Sequence, residues 1–408
     1  MKKFYAFDVE TYRIRAGLAF PKLVCLSFDD GESQGVLDRV DGLAWFWEQI
    51  RNPDVHLIAH NATYDCGVMC AEDAALIPFV IAAYRAGRIH CTKVRQKILD
   101  NAEGELKFIW NEETETWQGQ SFKLDRLIYR HFDVFLPKSK TWRLHYSKLD
   151  GVPISEYPKE AYDYALLDSI WALRLFFKQE EIADGDEIVG AAHVTRTSFA
   201  LGVMRSFGFR TDPEAVAELK AEISAEFELW IARAQELGVV RIPKTPKGKR
   251  SKDMSVIKGR IVELYTSFGL PVPLSESGKN VATDRETLAF GAHKNVPRTK
   301  AWIDETKGPE DKAWNVLCVD PALKAASEVA RVGKLLTTYV PIIERGITHP
   351  ITPDYNEMVE SFRTSCARPN CQNFGRDGGI RACVTPRGAI EEIVVPDDYC
   401  LKPGESWA

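Results

Sequence analysis

The chain has 408 residues, 45% of them hydrophobic, and 53 Lys and Arg against 58 Asp and Glu give a formal net charge of −5 at pH 7. That length suits a globular chain of more than one domain, and the near balance of charge excludes a highly cationic nucleic-acid coat while leaving room for a local basic groove. The nine cysteines form no CxxC pair, no signal-peptide order opens the chain, and no apolar run reaches the roughly 18 to 20 residues of a membrane span, so a reducing cytoplasm with no membrane partner is expected.

In chain order, "FDVET" (7 to 11) ends an apolar strand begun by Phe4, Tyr5 and Ala6 and sets Asp8 and Glu10 two residues apart. Alternate strand residues share a face, so the two acids sit side by side. "KLVCLSF" (22 to 28) and "VHLIAH" (55 to 60) read as further short strands, while "WFWEQI" (45 to 50) and the stretch from 158 to 180 have helical spacing. "HNATYD" (60 to 65) puts Asp65 at the start of a helix just after a strand. In "YALLDS" (164 to 169), Tyr164 and Asp168 stand at i and i+4, and their apolar surroundings direct that face inward. Beyond a boundary near 185 to 195 the character is helical, in 213 to 237 and again in 321 to 344. The loop "KTPKGKRSK" (244 to 252) carries Lys247, Lys249 and Arg250 and reads either as a solvated surface or as a phosphate-tracking segment. The late cysteines Cys366, Cys371, Cys383 and Cys400 fit no recurrent zinc spacing.

Four carboxylates, Asp8, Glu10, Asp65 and Asp168, gathered by an α/β fold, need a cation to offset their repulsion in low dielectric. All-oxygen donors select Mg²⁺ or Mn²⁺. Two such ions roughly 3.5 to 4 Å apart activate a water and stabilise the departing oxygen of a phosphodiester.

The order D-x-E, then N-x-x-Y-D, then Y-x-x-x-D resembles the proofreading 3′→5′ exonucleases of the four-acid superfamily, in the subgroup whose third motif carries tyrosine. The resemblance covers roughly residues 1 to 185, with "SFKLDRLIYRHF" (121 to 132) similar to the helix preceding the third motif. It implies that Asp8, Glu10, Asp65 and Asp168 bind two Mg²⁺ or Mn²⁺ ions and that Tyr164 orients the attacking water, completing the catalytic set. Asn61 then helps position the strand end, and His60 is structural.

"LSESGKNVATDRETL" (274 to 288) and "FRTSCARPNCQNFGRDGGIRACVTPRG" (362 to 388) resemble segments of family A DNA polymerases. Arg363, Ser365, Asn370, Gln372, Asn373 and Arg381 match the polar positions of the second stretch, near where the palm meets primer-template, and suit sequence-independent contacts to DNA. The fold so implied is α/β: a ribonuclease H-like mixed-sheet exonuclease domain (1 to 188), a mainly helical thumb-like region (189 to 350) and the start of a polymerase palm (351 to 408). No D-Y-S-x-x-E-L-R strand follows; Asp398 and Tyr399 only partly imitate it. The expected activity is therefore proofreading exonuclease action on DNA during replication, on single-stranded 3′ ends and primer-template duplex, with polymerisation needing palm and fingers from elsewhere. Alternatives are a DNA-binding subunit of a split polymerase completed by a second chain, and a ribonuclease D-like RNA-processing exonuclease.

Overall fold

A computed structural model describes residues 2–14, 18–106, 108–111, 116–136, 142–184, 188–241, 250–267, 269–275, 277–284, 287–288, 320–374 and 379–385. Among them the chain divides into two compact units: the first comprises Met1–Gly208 and Thr352–Asn373, the second Phe209–Ile351 and Phe374–Pro386.

The first unit is built on a five-stranded mixed sheet of β1 (Lys3–Thr11), β2 (Leu23–Asp29), β3 (Gln34–Asp38), β4 (Val55–Ala59) and β5 (Ile89–Cys91), in the order β3-β2-β1-β4-β5. β2 runs antiparallel to β1 and β3, whereas β1, β4 and β5 are parallel. Alternation in β1 feeds two cores. Phe7 and Val9 pack on one face with α1 (Arg39–Arg51), α2 (Ala62–Glu72) and α3 (Ile77–Arg85), through Phe46, Ile50, Met69 and Val80. On the other face Phe4 and Ala6 meet Ala172, Leu173 and Phe176 of α6 (Lys159–Ile182). Asp8 and Glu10 share the parity of Phe4 and Ala6, so the strand aims both acids at the α6 side.

Helix starts follow local chemistry. Asp38 caps α1 by accepting from the Val40 and Asp41 amides at 2.8 and 2.9 Å. α4 (Thr92–Ala102) follows β5 directly, and α5 (Leu124–Phe132) falls within the helix expected over 121 to 132. α7 (Ala191–Phe207) and the hairpin of β6 (Asp354–Asn356) with β7 (Ser365–Ala367) also belong to the first unit. Ala191, Val194, Phe199 and Met358 join the core that holds Phe7 and Leu57. The compact unit therefore runs past the 185 to 195 boundary, because α7 spends its apolar residues on this core.

The second unit is helical: α8 (Pro213–Glu236), α9 (Met254–Ser267), α10 (Pro321–Lys334) and α11 (Val340–Thr348), with a π-type turn over Leu335–Tyr339 between the last two. Asp-Pro opens both α8 and α10: Asp212 accepts from the Ala215 amide at 2.8 Å, Asp320 from that of Ala322 at 2.7 Å. Ile231, Ala234, Ile257, Ile261, Leu323 and Ala326 form its main core. Among the described residues no helix is long and apolar enough to cross a membrane.

Candidate active site at the end of the central strand

The β1–β4 pairing stops at Ala6 and Ile58, while the β1–β2 pairing continues to Thr11 and Leu23. The last residues of β1 thus lack a strand neighbour on the β4 side, and α2 fills that edge. Asn61, in the left-handed region at φ 75°, turns the chain into α2, and Asp65 falls in the first helical turn. The Asp65 carboxylate accepts from the Val9 amide and from its own amide. Asp65 is 2% exposed. Burial first, and the charge of Asp168 after it, push its carboxyl well above the usual range, against the lowering pull of the two amides. Its Oδ2 is buried with no hydrogen-bond partner.

α6 brings the other members. Small residues Ala161, Ala165 and Ala172 are buried, which lets the helix lie close on the sheet, and the half-buried Tyr164 and Asp168 share one face between them. The Tyr164 ring lies 6.1 Å from that of Tyr146, whose hydroxyl donates to the Ala161 carbonyl at 2.7 Å. Burial, followed by the charge of Glu10 and the further influence of Cys25, Tyr164 and Asp8, raises the Tyr146 phenol. On the neighbouring strand Glu10 stands opposite Cys25 and Asp8 opposite Ser27. Burial and then Glu10 push the Cys25 thiol up. Tyr64, its hydroxyl 2.6 Å from Thr11 Oγ1, is raised by burial and feels the charges of Asp65, Glu10 and Asp8. Asp8, Glu10, Asp65, Tyr164 and Asp168 are therefore parts of one electrostatic neighbourhood.

Among the described residues no three His, Cys, Asp or Glu side chains stand as a ready cation cage. The donor chemistry nevertheless fits a hard divalent ion: a buried carboxylate oxygen without a partner, disfavoured as an anion by burial and by Asp168, is satisfied by a proton or a cation.

His60 sits between Thr92 Oγ1 at 2.8 Å and the Phe122 carbonyl at 3.0 Å, so Nε2–H donates to the carbonyl and Nδ1 accepts from the hydroxyl, a structural arrangement. Asn61 accepts from Lys93 Nζ at 3.3 Å. Lys247 and Lys249 lie outside the described residues. Arg250 is held by Glu228 through two hydrogen bonds of 2.5 and 2.6 Å. The polymerase-like polar stretch divides: Arg363, Ser365, Asn370, Gln372 and Asn373 belong to the first unit, Arg381 to the second. Gln372 donates to Thr364 at 2.9 Å and Arg381 to the Phe374 carbonyl at 2.8 Å. Sequence reasoning missed Tyr64, Tyr146 and Lys93. Tyr64 had a signal in its place beside Asp65; Tyr146, in a 3-10 turn over Tyr146–Leu149, had none.

No protein-family model matches the chain. No curated protein matches it either. Among solved structures it is similar to the POL domain of Pol1 from M. smegmatis in complex with DNA primer-template and dNTP, at 15% identity over 94% of this chain and 54% of that one, with a TM-score of 0.48. It is also similar to Brucella melitensis NrnC bound to pGG, at 16% identity over 50% of this chain and 83% of that one, with a TM-score of 0.33. Brucella melitensis NrnC without that ligand named gives 16% identity, 50% and 86% coverage, and a TM-score of 0.33. The chain thus spans about half the length of the first of these structures.

Proposed function

We propose that the first unit is a metal-dependent 3′→5′ exonuclease that hydrolyses phosphodiester bonds at the end of a DNA strand, and that the chain is the exonuclease-bearing part of a family A DNA polymerase, serving proofreading in replication. The observation that carries this reading is Asp65, a buried carboxylate tied to the Val9 amide between Asp8 and Glu10, with its other oxygen left without a hydrogen-bond partner. The strand order, with β2 reversed between β1 and β3, supports a ribonuclease H-like domain whose first strand presents the first acids.

Asp8, Glu10, Asp65 and Asp168 are the residues to hold two Mg²⁺ or Mn²⁺ ions, which when bound supply a more acidic water and neutralise charge on the leaving oxygen. Tyr164 contributes orientation. Its phenol oxygen can position a water by hydrogen bonding. Tyr146, fixed to the Ala161 carbonyl, limits where the Tyr164 ring can go. The Val9 amide fixes one edge of the Asp65 carboxylate, so the acid is oriented before any substrate arrives. Arg363, Ser365, Asn370, Gln372, Asn373 and Arg381, with Lys247, Lys249 and Arg250, are assigned to the backbone of bound DNA.

The test is incubation with Mg²⁺ and 5′-labelled single-stranded and primed DNA beside the double variant Asp8→Ala/Glu10→Ala. Stepwise shortening from the 3′ end that the variant abolishes is the expected result. Equal shortening by both proteins, or none by the parent, overturns the reading.

A further inference from the structure

We infer that Phe362, in the turn of the β6–β7 hairpin, is a base-stacking residue whose ring takes the face of an exposed nucleobase of primer-template DNA. This role rests on the nucleic-acid part of the proposed function. It adds a contact of another kind, aromatic and uncharged, to the backbone contacts assigned there.

The turn asks for a different residue. The Val359 amide donates to the Arg363 carbonyl at 2.9 Å, and the Phe362 amide donates to the Val359 carbonyl at 2.8 Å. These bonds close a three-residue loop of Glu360, Ser361 and Phe362 whose last position is left-handed, with Phe362 at φ 56°. Glycine suits that position, having no Cβ to crowd the following carbonyl. For a side chain as bulky as phenylalanine the conformation is an outlier. Among the described residues, the other non-glycine residues at positive φ are Asn61, Asp133, Asp184 and Arg368. Asn and Asp tolerate the region through local hydrogen bonds, and Arg368 reaches Asp354 at 2.8 Å. Phe362 remains 53% exposed, so packing does not account for its place.

The loop is braced on both sides, which keeps the strain from relaxing. β6 and β7 pair Asp354 with Ala367 and Asn356 with Ser365. Just before the turn, Met358, 2% exposed, enters the main core of the first unit, and Glu357 takes Lys97 at 2.7 Å. Just after it, Gln372 donates to Thr364 at 2.9 Å. Strain persists where the surroundings over-determine the backbone, and it collects at ligand clamps.

What the ring meets follows from its neighbours. Arg363, Arg368, Asn370, Gln372 and Asn373 are exposed on the same stretch, and their cationic and amide groups suit phosphates and sugars. Phe362 is the one large apolar side chain exposed between 354 and 373, too little for an apolar protein partner to bury. A single aromatic face amid such groups instead matches one base of a strand whose backbone they hold.

The experiment measures fluorescence anisotropy of a fluorescein-labelled primer-template with a single-stranded template overhang, with Ca²⁺ in place of Mg²⁺, over a salt series. It compares the full chain with Phe362→Ala, Phe362→Gly, Phe362→Trp and Arg363→Gln, each checked by thermal melting. Stacking carries no charge, so Phe362→Ala should weaken binding about tenfold with the salt slope unchanged, whereas Arg363→Gln should lower the slope by about 0.9. Phe362→Trp should bind at least as tightly as the parent, and DNA should quench its fluorescence more than the parent's. Phe362→Gly should bind as weakly as Phe362→Ala yet melt at a higher temperature, because glycine relieves the turn. Parental affinity in a folded Phe362→Ala, or a loss of slope matching that of Arg363→Gln, overturns the stacking role and leaves the nuclease reading standing. So does a Phe362→Trp that binds as weakly as Phe362→Ala. A glycine variant that melts below the alanine one removes the strain on which the role stands, and a parent that binds no DNA overturns it outright. Weakened binding at constant slope in a chain that shortens no DNA leaves the stacking role in place and removes the nuclease reading instead.

Discussion

In the first unit Asp65, Lys97, Asp100 and Glu357 are all buried, whereas the second unit, which buries Glu328 against Arg331, keeps pairs such as Lys220–Glu344, Arg233–Glu236 and Arg241–Asp253 toward solvent around an aliphatic core. Buried charge costs several kcal/mol per ion unless it is paired and hydrogen-bonded. Asp100 is so treated, with Arg130 at 2.8 Å and Gln96 at 2.8 Å. Asp65 is not, since its Oδ2 has no partner. The contrast separates Asp100, whose carboxylate is paired on both oxygens, from Asp65, which carries a buried oxygen that the surrounding protein leaves without a hydrogen bond.

The sharpest way to break this contrast is Asp8→Ala/Glu10→Ala. If those acids serve chemistry alone, nuclease activity falls by ~10³-fold or more while the thermal midpoint holds or rises, because a source of repulsion is gone. A nuclease assay paired with a melting curve checks it; a large loss of stability would make the acids structural. Glu357→Ala is expected to do the reverse. It strands Lys97 in the interior, where removing one partner of a buried pair costs about 3 to 5 kcal/mol. Urea unfolding of the full chain measures that loss.

A pH series gives the next effect in size. His90 packs between His56, 2.9 Å away through their ring nitrogens, and Phe176, whose centroid is 5.0 Å off. Burial first, then the nearby Arg95, His56 and Lys2, bring its pKa down from 6.5 to about 3. An unfolded chain takes up this proton near 6.5 and the folded one does not until about 3. Stability from the neutral ring is therefore fully present above 6.5 and is lost as pH falls through that window, by up to about 1.4 kcal/mol per pH unit. His90→Phe should flatten the dependence of the urea-unfolding free energy between pH 6.5 and 4.5 relative to the parent, by about 2 to 3 kcal/mol in all.

Why these sites were unequally legible follows from how far apart their residues are in sequence. Strand alternation placed Asp8 and Glu10 on one face, and i, i+4 spacing did the same for Tyr164 and Asp168 on α6, because both periods are local. Asp65 was readable from a strand followed by a helix start. The Lys97–Glu357 pair joins residues 260 apart, and no local pattern announces it. β5, three residues long, gives too short a run to show a period, and with it went the position of Lys93 at the start of α4. The same limit applied to the hairpin over 354 to 367: its polymerase-like residues were visible, but their packing with the first unit through Met358 depended on distant chain.

The smallest expected effect belongs to Arg250 and Glu228, with side chains 37% and 58% exposed. Exposed pairs contribute roughly 0 to 1 kcal/mol, so Arg250→Ala and Glu228→Ala should each leave urea stability within that range. Their value lies in binding. Both guanidinium arms of Arg250 already donate to Glu228, so a phosphate must displace that carboxylate before Arg250 can track DNA. Removing the competitor frees the cation. Glu228→Ala should then tighten binding to primer-template DNA at low salt by about two- to threefold, and Arg250→Ala should cancel the gain in the double variant, since the salt-sensitive contact would be lost with it. Equal affinity in all of these proteins would leave Arg250 as a surface pair of the helical unit.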